Sequence, residues 1–166
     1  MHLTVTGHRP DRLGGDGLGA IGRLEVFAAH VLFVTGATHV TIGGALGWDQ
    51  ACGFAAIKLG IPLAIIEPGM APVGGKSRPF YAPWPIDARQ RYDLLRRLAV
   101  SVTVRPWAGA GREYSDRDWA LLDDPCDFVA ALWCGEPSGT GQTINMACRR
   151  KRPVWNFWEE WRAWPF

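Results

Sequence analysis

Three short stretches of the chain place glycine beside hydroxyl, basic or acidic side chains, each just after a run of apolar residues. The first is Thr6-Gly7-His8-Arg9-Pro10. Here Arg9 is suited to a two-pronged contact with a phosphate or carboxylate, and His8 to a sugar hydroxyl or phosphate oxygen. The second is Gly43-Gly44-Ala45-Leu46-Gly47-Trp48-Asp49. Its glycines leave backbone amides bare at a helix start, and Asp49 there either binds a ribose hydroxyl or complements the helix dipole. The third is Gly135-Glu136-Pro137-Ser138-Gly139-Thr140-Gly141-Gln142-Thr143. Ser138, Gly139, Thr140, Gly141 and Thr143 make it a neutral cradle of amides and hydroxyls, suited to a mono- or diphosphate.

Some chemistry is excluded at once. A Walker-type loop, G-x-x-x-x-G-K-[ST], requires glycine at Glu136 and lysine at Gln142, so the main cation for β- and γ-phosphates is missing. The second stretch is not a full G-x-G-x-x-G either. Taken singly, each segment also reads as an ordinary strand-end turn, and Asp49 as a helix-start acid. Their weight comes from recurring at successive strand ends, where ligands bind in open α/β sheets.

The elements that must position these loops alternate in the βαβ manner, which predicts a Rossmann-like three-layer α/β fold with a mostly parallel sheet of about five to seven strands. Strands are expected at 2–6, 40–42, 62–66, 100–104, 128–133 and 153–155. Helices are expected at 18–34, 48–59, 86–99, 116–122 and 140–150. The run Phe128 to Trp133 is apolar throughout, as suits a central parallel strand. Between Glu67 and Pro85 lies a proline-rich stretch without periodicity; Lys76, Arg78, Tyr81 and Trp84 would suit a lid over an anion, and a plain surface excursion would read the same.

A length of 166 residues fits one domain, 1–166, ending in a Trp-rich tail at 155–166. Hydrophobic residues at 48% and charged residues at 20% are ordinary globular usage, and a net charge of +2 makes no electrostatic case for nucleic acid or a membrane. No leader-like pattern opens the chain, and its most apolar stretch, 24–34, contains Glu25 and His30, so a cytoplasmic protein is expected. Cys52, Cys126, Cys134 and Cys148 lack a C-x-x-C pair, which favours core thiols over a metal site or a disulfide framework. Trp155, Trp158, Trp161 and Trp164 crowd the tail; rings in that number either pack across the domain or meet another subunit, and a homo-oligomer is expected.

The blocks TGHRP (6–10), GGALGWDQA (43–51), SDRDWALLDDPCDFVAALW (115–133) and PSGTGQT (137–143) together resemble the SLOG superfamily, from Thr6 to about Val154. The first two, with the Ser-Gly-Thr turn, are most similar to its YpsA-like branch; related members are the LOG-type phosphoribohydrolases and DprA-like Rossmann domains. The resemblance implies a nucleotide-like ligand, and no other cofactor. The LOG-type pattern P-G-G-x-G-T-x-x-E begins at Pro137 and places its catalytic glutamate at Asn145. Its preceding arginine is kept as Arg117, while the lysine position is Asp118. An amide at Asn145 neither takes a proton from water nor offers a full negative charge to an oxocarbenium ion. A sensor or carrier with no assigned catalytic residue is therefore expected first. A divergent nucleotide N-glycosidase using Asp49, Asp116 or Asp118 comes second. A DprA-like nucleic-acid accessory comes third, resting on the basic run Arg149-Arg150-Lys151-Arg152, which also suits a helix C-terminus.

Overall fold

The computed structural model describes residues 1–74, 76, 78–123 and 125–165; Gly75 and Ser77 of the proline-rich stretch, Asp124 of the third quoted block and Phe166 of the tail lie outside it. The strands are β1 (His2–Gly7), β2 (His39–Ile42), β3 (Leu63–Glu67), β4 (Ser101–Val104), β5 (Phe128–Leu132) and β6 (Val154–Asn156). The helices are α1 (Leu18–Val34), α2 (Trp48–Lys58), α3 (Ile86–Leu98), α4 (Glu113–Asp123), α5 (Gly139–Arg149) and α6 (Trp158–Ala163). All five strand pairings are parallel, in the order β4-β3-β2-β1-β5-β6. This is the three-layer Rossmann-like fold, with six strands among the described residues.

The topology decides where a ligand can sit. From β1 the chain steps outward through β2 and β3 to β4, then returns through α4 to β5, beside β1. Right-handed crossovers put α1, α2 and α3 on one face and α4 and α5 on the other. The order reverses between β1 and β5, so the carboxyl ends of these two strands flank the open crevice. In β5 every residue is buried, as its uninterrupted apolar run requires.

Three boundaries differ from expectation for local reasons. The fourth helix begins at Glu113 rather than Asp116, because Glu113 and Asp116 both suit a first turn. Pro10–Arg12 forms a 3-10 turn led by proline at its first position, and the tail contains the unexpected helix α6. That tail folds back onto its own chain. Trp161 is 5% exposed, its ring 5.3 Å from Phe27, and Trp164 packs on Phe27 and His30 at 5.1 and 4.7 Å. Trp155 lies 4.3 Å from the Phe128 ring. Trp158, Trp161 and Trp164 thus pack within the chain, while Trp155 keeps 46% of its surface exposed. The core-thiol reading is corrected in part: Cys52 and Cys126 are buried, but Cys134 is half-buried and Cys148 exposed.

Candidate ligand-binding site

At the switch point Gly7 pairs with Leu132, and the His8 N–H donates to the Leu132 carbonyl at 3.1 Å. The His8 side chain turns toward Cys134 rather than offering both nitrogens to a ligand. Its Nε2 accepts the backbone N–H of Cys134 at 2.9 Å and lies 3.0 Å from Cys134 Sγ. Gly7 is glycine because a Cβ would run into the Trp48 side chain, which is fully buried behind it. Arg9 is exposed at the mouth of the crevice, with no ion pair among the described residues.

The second loop is not the row of bare amides that its glycines predict. Asp49 Oδ2 accepts from Gly43 N at 3.1 Å and Ala45 N at 3.3 Å, so the protein's own carboxylate occupies the loop. The glycines answer to internal close approaches. A Cβ on Gly43 would strike the Arg117 guanidinium, and one on Gly44 (φ +78) the Tyr92 hydroxyl. At Gly47 (φ +93) it would lie 2.5 Å from the His8 carbonyl oxygen. Arg117 donates to the Gly43 carbonyl and, through Nε at 2.7 Å, to Asp118. Asp49 is 4% exposed, and burial pushes its pKa up to about 6, against the pull of Arg117 and the two amides.

The third loop keeps the predicted character. Ser138 caps α5, its hydroxyl accepting from Gly141 N at 3.2 Å, and the Gln142 N–H bonds the Ser138 carbonyl. The amides of Gly139 and Thr140 precede the helix's own ladder and have no intramolecular acceptor among the described residues. A Cβ at Gly139 would meet open space, whereas one at Gly141 would come within 3.1 Å of the Trp133 ring. The Thr143 hydroxyl lies 3.0 Å from Asp118 Oδ2 and 3.1 Å from the Gly139 carbonyl, joining α5 to α4.

These loops enclose a pocket of about 520 Å³, within the range of small-molecule sites. Its wall includes Gly7, His8, Arg9, Ala45, Asp49, Arg117, Ser138, Gly139, Thr140 and Thr143. Gly43, Gly44, Gly47 and Gly141 are not part of that wall. Sequence reasoning missed Arg12, Tyr114 and Ser115 as pocket residues, and offered Asp118 only as a stand-in carboxylate. The last three share a face of α4 with Arg117 at helical spacing, the signal that would have found them. Asp116 instead pairs with Arg105 at 3.1 Å, outside the wall. Asn145 is exposed on α5, one turn beyond Gln142 and also outside it.

The proline-rich stretch contributes Phe80 and Trp84 to the pocket, but not Lys76, Arg78 or Tyr81. Tyr81 is tied down instead, donating to Asp93 at 2.8 Å and accepting from Arg96 at 3.3 Å. Phe80, Tyr81 and Trp84 close around Tyr92, whose hydroxyl donates to buried Glu67 at 2.9 Å. A packed aromatic wall has replaced the cationic lid. No cluster of three metal-ligating side chains occurs among the described residues, and no helix among them is long and apolar enough to cross a membrane.

Fold and site define an α/β protein of Rossmann type with a polar crevice at its switch point. No family profile and no curated protein sequence matches the chain. Solved structures do share the fold. The X-ray structure of TM1055 aligns with TM-score 0.59 at 16% identity, over 92% of this chain and 71% of that one. DNA processing protein A from Helicobacter pylori, described for its single-stranded DNA binding mode, aligns with TM-score 0.59 at 15% identity, over 93% of this chain and 63% of that one. DprA from Streptococcus pneumoniae aligns with TM-score 0.57 at 17% identity, over 92% of this chain and 48% of that one. Two DprA proteins therefore stand among the solved structures that share the fold.

Proposed function

We propose that the crevice between β1 and β5 binds a small phosphate-bearing, nucleotide-like molecule, and that the protein acts as its sensor or carrier within the SLOG superfamily. One observation carries the reading: the uncommitted amides of Gly139 and Thr140 and Arg9, which has no ion pair among the described residues, line one pocket together with Phe80, Trp84 and Tyr114. Helix-start amides and an arginine suit a phosphate, and aromatic rings suit a base. Calorimetric titration with a nucleoside 5′-monophosphate and with the parent nucleoside tests it. Tighter binding of the phosphorylated form, weakened by Arg9→Gln, supports the reading; equal binding of the two, or no binding of either, overturns it.

A nucleotide N-glycosidase is favoured by one feature, the buried pocket carboxylate of Asp49 with its raised pKa of about 6. Release of free base from the same nucleotides, abolished by Asp49→Asn, would establish that second reading. The nucleic-acid reading loses support from its own residues. Arg150 pairs with Asp123, and Arg152 donates to the carbonyls of Cys126 and Leu122, so both serve the α4–α5 packing.

A further inference from the structure

The proline-rich stretch and the first half of α3 enclose a second cavity, of about 930 Å³, at the upper end of the range for small-molecule sites. Phe80 belongs to the walls of both cavities. The helix contributes Ile86, Arg89, Gln90 and Asp93, which fall three, four and seven residues apart and so share one face. Met70, Val73 and Pro83 add apolar surface from the other side. Val73 and Ile86 keep 58% and 65% of their surface exposed, so an occupant with an apolar body would take that area out of water. The polar part of the wall is unevenly paired. Arg89 has no hydrogen-bond or ion-pair partner for its side chain among the described residues, and its Nε is sealed from solvent. A sealed donor without an acceptor is uncommon in a folded protein. Asp93, one helical turn away, stands where an acid could answer Arg89, but its Oδ1 accepts the Tyr81 hydroxyl at 2.8 Å instead. Arg78 is exposed and has no ion pair among the described residues. Two guanidiniums against one carboxylate leave the lining with one surplus positive charge. That balance matches a monoanion, and Asp93 weighs against a doubly charged phosphate ester.

We propose that this cavity is a second binding site, for a small monocarboxylate with an aliphatic body. Arg89 and Arg78 hold the carboxylate, and Met70, Val73, Pro83 and Ile86 cover the chain. A guanidinium matches a planar carboxylate through two parallel N–H bonds, which a point charge such as lysine does not offer. With its Nε packed away from water, the Arg89 side chain is already held in place, so little freedom is lost when its head group binds. The sequence reading of Arg78 and Tyr81 as part of a lid over an anion is thereby redirected: both residues line this cavity and not the β1–β5 crevice. The proposal does not depend on what that crevice binds.

Octanoate, kept below its micellar concentration, is the probe, with acetate and 1-octanol as comparators that lack the chain and the charge respectively. Each is titrated into the 15N-labelled full chain and followed by amide NMR. Octanoate is expected to give saturable shifts at Ala82, Arg89 and Gln90, with little movement at Gly139 and Thr140. Acetate and 1-octanol should each bind at least about tenfold more weakly, since each forfeits one half of the recognition. Arg89→Gln should weaken octanoate about tenfold or more, and Arg78→Gln, a change at an exposed side chain, several-fold. The spectrum of each variant away from the cavity reports whether its fold is kept, and Arg78→Gln decides the matter if Arg89→Gln does not fold. No saturable shift with octanoate would overturn the proposal, as would shifts centred on Gly139 and Thr140. So would 1-octanol binding as tightly as octanoate, or an unchanged octanoate affinity in the folded variants.

Discussion

Replacing Gly43 with alanine isolates the contact that orders the pocket floor. The new Cβ would fall on Arg117, against Nη1 and Cζ and 3.0 Å from Nε. Gly43 does not have a left-handed backbone, so alanine meets no conformational penalty of its own. The whole effect must pass through Arg117, which is 8% exposed and holds both the Gly43 carbonyl and Asp118. Displacing the guanidinium forfeits a charged hydrogen bond, about 1.5–3 kcal/mol. Crowding a packed site costs about 1–3 kcal/mol. The two describe partly the same event, so a net loss of about 2–4 kcal/mol is expected, a fall in Tm of roughly 5–15 °C for a domain of this size. Urea denaturation of a double-mutant cycle is the assay. In an Arg117→Ala background the Gly43→Ala cost should shrink to within about 0.5 kcal/mol of zero. Additive losses would refute the assignment of Gly43 to Arg117.

Three further outcomes follow from the geometry. The Asp49 carboxyl titrates near 6 in the folded protein against 3.8 ordinarily, so the folded state holds its proton more tightly; stability present below about pH 4 is lost as the pH rises through about 6. The shift corresponds to about 3 kcal/mol. Asp49→Asn keeps an acceptor oxygen for Gly43 and Ala45, and is expected to be more stable than the parent at pH 7.5 and to flatten the pH dependence between 4 and 7; parallel pH curves for the two proteins would contradict this. Trp161→Ala removes a buried ring packed at a tilt against Phe27 and beneath Arg23, and should cost about 3–5 kcal/mol with no change in mass by light scattering. A drop in mass would instead place the tail at a subunit interface. Ser138→Ala deletes the α5 cap and should lower stability by about 1 kcal/mol in denaturant titration, whereas an unchanged midpoint would show that the cap is not needed.

The layers of the fold were legible because the periods were clean. The unbroken apolar run of β5 and the three- and four-residue spacing in α1 leave few alternatives. The loops were located correctly, but their glycines were partly misread. A glycine required by a ligand and one required by an approaching side chain look identical in one dimension. Gly43 is set by Arg117, 74 residues further along, and Gly44 by Tyr92. Of the glycines assigned to the ligand, Gly139 keeps the open surroundings that the anion-cradle reading needs, and Gly135 at the start of the same loop is open as well. The bond between His8 and Cys134 was hidden because the two become neighbours only when β5 returns beside β1. The tail posed the reverse problem. Its tryptophans declared burial, but not against what, and the answer lay on α1 at Phe27.

The central claim, that the start of α5 receives a phosphate in the β1–β5 crevice, is tested most directly by amide NMR. A uniformly 15N-labelled sample is titrated with a nucleoside 5′-monophosphate and, in parallel, with the parent nucleoside. The largest shifts under the nucleotide should fall on the Gly139 and Thr140 amides, with only small shifts there under the nucleoside, while Gly43 and Ala45, held by Asp49, move little. Shifts centred on Gly43 and Ala45, or no saturable shift at Gly139 and Thr140, would contradict it.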